Sequence, residues 1–170
     1  MQDNTLLELT EASRLFEPVA TGLAAAQMTP DQLAEINGHL DAMHTAAEDV
    51  ELLNKHDAAF HRAVVAATGN EALTTLVDNI SSSTLRARVW RGMVEANAAD
   101  RTLAEDEAIY NALANRDANH AQAAALLHVS TTDQWLRRVH DADRRGRTTS
   151  NQVESRMRLP PRTASGTVHS

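Results

Sequence analysis

Along most of this chain apolar residues recur at the spacing of an α-helix, and the recurrence is broken by short stretches that can end one helix and begin another. A first stripe over about residues 4 to 27 is made by Leu6, Leu9, Leu15, Phe16, Val19 and Leu23. Thr29-Pro30-Asp31-Gln32 then supplies a capping residue, a proline at the first helical position and an acid in the first turn, opening a helix to about Ala46. Glu48 to Thr68 reads as the third helix, closed by Thr68-Gly69-Asn70. Helices over about residues 71 to 95, 99 to 115 and 117 to 140 follow, the last two parted at Asn115-Arg116-Asp117. Abundant alanine, 3% aromatic residues, six glycines and four prolines agree with helices packed through small side chains. The expected fold is all-α, an antiparallel bundle of about six helices around a central pocket.

Three of these helices put polar residues where the core should be. On the third, Val50, Leu53, Phe60, Val64 and Val65 share one arc, and Asp57 and His61 lie in its middle, four residues apart and hence on one face. Asp106 falls among Leu103, Ile109, Tyr110 and Leu113, and His128 among Ala121, Ala124, Ala125, Trp135 and Val139. A buried carboxylate is costly unless paired or coordinated. The residues alone allow either a divalent metal held by two Asp and two His with open positions, or a set of hydrogen-bonded core side chains. On the fourth helix Leu73, Leu76, Val77, Ile80, Ala87 and Val94 define the core arc, with Thr84 and Arg91 inside it, Arg88 at its edge and Arg86 pointing out. An inward Arg suits a carboxylate ligand, and it equally suits an internal salt bridge. The remaining histidines, at 39, 44, 56, 120, 140 and 169, read as surface residues.

Charge and cysteine narrow the function. The chain carries −7 overall, but six Arg against three acids lie beyond residue 140, so ten basic and twenty acidic groups lie before it. Such an acidic body repels a phosphate backbone, and this chain by itself is not expected to grip DNA. Without cysteine there is neither disulfide nor thiolate ligand, and any metal must use His and carboxylate. No apolar run approaches the roughly 18 residues of a membrane span, and Met-Gln-Asp-Asn is not a signal sequence, so a cytoplasmic location is expected. Beyond Asp143 the apolar period stops, and residues 143 to 170 are expected to form a disordered basic tail after a domain over 1 to 142.

Several of these pieces, in order, resemble the FCD domain, the effector-binding and dimerisation domain of the FadR branch of GntR-type bacterial transcription regulators. They are Ser13-Arg14-Leu15-Phe16-Glu17-Pro18, Leu23-Ala24-Ala25, Met28 to Leu33, Asp57-Ala-Ala-Phe60-His61, Ala67 to Asn70, Glu105 to Ile109, and Ala-Leu-Leu-His128. The resemblance implies a divalent metal, Zn first with Ni or Mn as other choices, held by Asp57, His61, His128 and a fourth ligand at Asp106. There the family usually has His, and Ser13 stands where it often has Arg. It further implies a small organic acid as effector, a homodimer, and DNA contact only through a winged helix-turn-helix that this chain does not contain; Thr84, Arg88 and Arg91, read from the arc of the fourth helix, are the expected effector contacts. No Glu-x-x-His pair, no His-Glu-x-x-His and no nucleophile with a nearby base is found, so an enzyme is not expected. The alternatives are a metal-free dimerisation domain and, behind it, a metal-dependent hydrolase.

Overall fold

The computed structural model describes the backbone of residues 2–157 and the side chains of residues 5–146. Among the described residues there are six helices and no strand: α1 (Gln2–Gln27), α2 (Pro30–Thr45), α3 (Val50–Ala66), α4 (Glu71–Val94), α5 (Ala98–Ala114) and α6 (Ala118–Met157). The chain divides into two compact units with the boundary after Leu136. Turns of two to four residues join successive helices, which is the connection length of antiparallel neighbours. Within the first unit α3 packs on α1, α2, α4 and α5, and is the helix the others gather around.

The turns follow from local chemistry. Thr29 caps α2 by accepting from Gln32 N while the Gln32 side chain accepts from Thr29 N, a closed capping box with Pro30 at the first position. Asp49 accepts from Leu52 N at the start of α3, and Asn70 from Ala72 N and Leu73 N at the start of α4. Gly69, with φ +70°, makes the left-handed step between them. Near the far end of α4, Gly92 lets the helix approach α3, since a Cβ there would stand 2.5 Å from Val50 Cγ1.

The core is built from Met28, Ile36, Met43, Phe60, Val64, Ile109 and Leu113, with Ala24, Ala25, Ala112, Ala121 and Ala125 allowing close helix approach. The expected stripe of α1 is only partly inside. Leu15, Val19 and Leu23 are exposed, as are Leu76 and Val94 of α4. The inner face of α1 is instead Thr10, Ser13, Glu17, Ala20, Thr21, Ala24 and Ala25, because that helix lines a polar cavity along one stretch and packs through alanines along the next.

In the second unit α6 remains helical to Met157, where a tail was expected from residue 143. An absent apolar stripe removes the reason to pack, not the ability to form a helix, and no proline intervenes before Pro160. Residues 141 to 146 are exposed, and the expected tail over 158–170 lies outside the described residues. No helix among the described residues is long and apolar enough to cross a membrane.

Candidate metal centre

Asp57 and His61 leave α3 one turn apart, Asp106 comes from α5 and His128 from α6. Each offers a ligand atom within 4.8 Å of the others. His61 Nε2 and His128 Nε2 are 3.0 Å apart, and their rings stand with centroids at 4.5 Å. Around them, His61 Nε2 lies 3.6 Å from Asp57 Oδ1 and 3.3 Å from Asp106 Oδ1, and His128 Nε2 lies 3.7 Å from Asp57 Oδ1. Asp57 and Asp106 are 2% and 0% exposed.

The hydrogen bonding is incomplete in a way that suits a cation. Asp57 Oδ1 and both carboxylate oxygens of Asp106 are buried without a hydrogen-bond partner, with the imidazoles within ion-pair reach. Buried carboxylate oxygens almost always have donors or a metal. Two imidazole nitrogens at 3.0 Å can share only one proton, whereas a divalent ion accepts both as neutral ligands. The donor set, oxygen and nitrogen from three helices, fits such an ion.

Electrostatics tie the four groups into one system. Burial alone raises the Asp57 carboxyl, but Arg88, which pairs with Oδ2, and the two histidines outweigh it and hold it well below the usual range. Burial would lower His61, yet Asp106 and Asp57 raise it well above 6.5. His128 is raised by Asp106 against both burial and the neighbouring His61. Asp106 is raised, chiefly by burial.

The three residues expected to meet an effector all lie along this site. Arg88, Arg91 and His128 share a cavity with Asn54, Asp57 and Thr132. Thr84 and Arg88 line an adjoining space with Ser13, Glu17, Asp57, His61 and His128. Arg88 is held by Asp57 and the Ser81 carbonyl, and Arg91 by Glu95 and Thr132. Both salt-bridge readings are thus realised, yet Arg88 Nε and Arg91 Nη2 are left buried without an acceptor. Thr84 lines the adjoining space, and its hydroxyl donates to Ile80 O.

Some participants were not singled out in the sequence. Glu105 Oε2 stands 3.2 Å from His128 Nδ1, within ion-pair reach, while Oε1 accepts from Thr131. Asp133, 2% exposed, accepts from Thr10 and lies 3.6 Å from Arg14. The other histidines stay outside: His44 and His120 are exposed, His39, His56 and His140 half-buried, and His169 is outside the described residues.

The FCD domain family matches residues 8–131. The chain belongs to that family. This FCD domain is 32% identical over 141 residues to the HTH-type transcriptional regulator LutR of Bacillus subtilis, covering 80% of this chain and 64% of LutR. It is 32% identical over 133 residues to the galactonate operon transcriptional repressor of Escherichia coli, covering 77% of this chain and 57% of the repressor. The FCD domain here thus spans about three fifths of the length of these relatives, both of which are transcriptional regulators. Solved structures share the fold: Streptococcus agalactiae GntR at TM-score 0.68 and 23% identity, covering 78% of this chain and 60% of that one, and E. coli McbR/YncC at 0.68 and 18%, covering 78% and 64%.

Proposed function

We propose that this FCD domain is the effector-sensing and dimerisation part, over about residues 1 to 142, of a FadR-type transcription regulator acting in the cytoplasm. A divalent metal, Zn²⁺ before Ni²⁺ or Mn²⁺, is held by Asp57, His61, Asp106 and His128, and a small carboxylate binds beside it. The observation that carries this reading is the convergence of four buried ligands on one point with the Asp106 oxygens and Asp57 Oδ1 unpartnered. When bound, the metal supplies Lewis-acidic positions for a carboxylate oxygen.

The chain's own residues do the rest. Arg88 holds Asp57 ionised while its buried Nε lacks an acceptor, and Arg91, fixed by Glu95 and Thr132, leaves its buried Nη2 without one. Two buried guanidinium donors without acceptors favour an anion over a neutral ligand. The galactonate operon repressed by one relative is named for a small carboxylate, which agrees with that class. Because α3, α4, α5 and α6 all contribute, ligand binding can shift their packing and reorient attached winged helix-turn-helix domains in a homodimer. Asp106 in place of the family's usual His shifts preference toward harder ions.

Elemental analysis of purified protein tests the core of the reading. About one divalent ion per chain is expected in wild type, lost in Asp57→Ala and His128→Ala. Substoichiometric metal that neither substitution changes would favour the metal-free dimerisation domain instead.

A further inference from the structure

The cavity beside the four ligands has a second wall of different chemistry. Its α1 side is Thr10, Ser13 and Glu17, three residues on one face of the helix. Glu17 is 8% exposed and Ser13 5%. The hydrogen bond Glu17 receives comes from Ser13 Oγ, 2.8 Å from Oε1. Among the described residues no Arg, Lys or His forms an ion pair with it. Asp133, by contrast, has both Thr10 and Arg14.

A carboxylate this buried ordinarily faces a cation or several donors. Ser13 spends its one proton on Glu17, so what remains on this wall, the second Glu17 oxygen and the Ser13 lone pairs, can only accept. Across the cavity stands Arg88, whose buried Nε has no acceptor and can only donate. The space is therefore polarised, with a donor side for an anion and an acceptor side that an unsubstituted chain or a second carboxylate would leave unmatched or repel.

We propose that the effector carries hydrogen-bond donors, hydroxyl or ammonium, on the part of its chain away from its carboxylate, and that Glu17 with Ser13 receives them. This rests on the carboxylate-sensor reading above.

The test is titration calorimetry of the metal-loaded chain with four six-carbon acids: hexanoate, adipate, gluconate and 6-aminohexanoate. A hydrogen bond to a charged group corresponds to roughly tenfold or more in affinity, so gluconate or 6-aminohexanoate should bind at least about tenfold tighter than hexanoate and adipate. Which of the two is preferred tells hydroxyl from ammonium. Glu17→Gln keeps the side-chain size and removes the charge. It should erase the preference for 6-aminohexanoate and reduce that for gluconate, whose hydroxyls an amide oxygen still accepts, with metal content unchanged. Equal binding of hexanoate and the donor-bearing acids, or a preference that Glu17→Gln leaves intact, overturns the proposal while the sensor stands. If none of the four binds, the carboxylate-sensor reading falls and this proposal with it. Should Glu17→Gln fail to fold, the wild-type ranking alone still decides.

Discussion

Asp106→Asn is the sharpest perturbation of the metal centre, because it preserves shape and changes only the ability to act as an anionic ligand. Asp106 is fully buried, and neither of its oxygens has another hydrogen-bond partner to lose. With free metal at about a thousand times its Kd, the wild-type folded state gains about 4 kcal/mol. Removing even an outer partner of a ligand typically costs 10- to 100-fold in metal affinity, and a direct ligand should cost at least the upper figure, about 2.7 kcal/mol. At a few degrees per kcal/mol for a chain of this size, the metal-induced rise in Tm should shrink by roughly 5–10 °C. The assay is a thermal melt of each protein with Zn²⁺ and with chelator, and the difference between the two melts is read so that any change of baseline cancels. Equal metal-induced shifts in wild type and Asp106→Asn would refute the placement of Asp106 among the ligands.

Protons and metal should compete at the histidines. His61 and His128 have raised pKa values in the metal-free protein, so their contribution to its stability is fully present below about 6.5 and is lost as pH rises through the raised values. Metal needs both neutral, so its stabilisation grows over the same range. The Tm gap between loaded and chelated protein should widen from pH 6 toward pH 8.5, and a constant gap speaks against the site. Asp57 works in the opposite sense: held low, it stabilises above about 3.8 and loses that contribution as pH falls. Glu105→Gln should weaken metal binding about tenfold without abolishing it, by loosening His128; an unchanged Kd in competition with a chelating dye would mean Glu105 merely lies nearby. Gly92→Ala forces a methyl against Val50 and should cost about 1–3 kcal/mol in urea unfolding, with metal content intact. Wild-type stability there would show that α3 and α4 yield easily.

Much of this fold could be read from the chain because its punctuation is chemical. Thr29-Pro30 announces a helix start through a side-chain cap, and that cap is present, while the caps at Asp49 and Asn70 emerge only in the fold. The inward Asp57, His61 and Asp106 were visible as polar breaks in apolar arcs. Glu17 and Glu105 were not, since their burial depends on helices far along the chain. Leu15, Val19 and Leu23 misled for the converse reason: periodicity reports an apolar face but not whether a neighbour covers it. The end of α6 was hidden because a helix need not have an apolar stripe.

The two imidazoles that meet at 3.0 Å are 67 residues apart in sequence. A metal joining them would act as a cross-link in a chain that has no cysteine to make one. Closing a loop of that size removes unfolded-state entropy equivalent to about 4 kcal/mol by the relation used for disulfides. Unlike a disulfide, this staple opens to a chelator or a proton rather than to a reductant, so the firmness with which α6 is tied to α3 would follow metal supply and acidity and ignore the redox state of its surroundings.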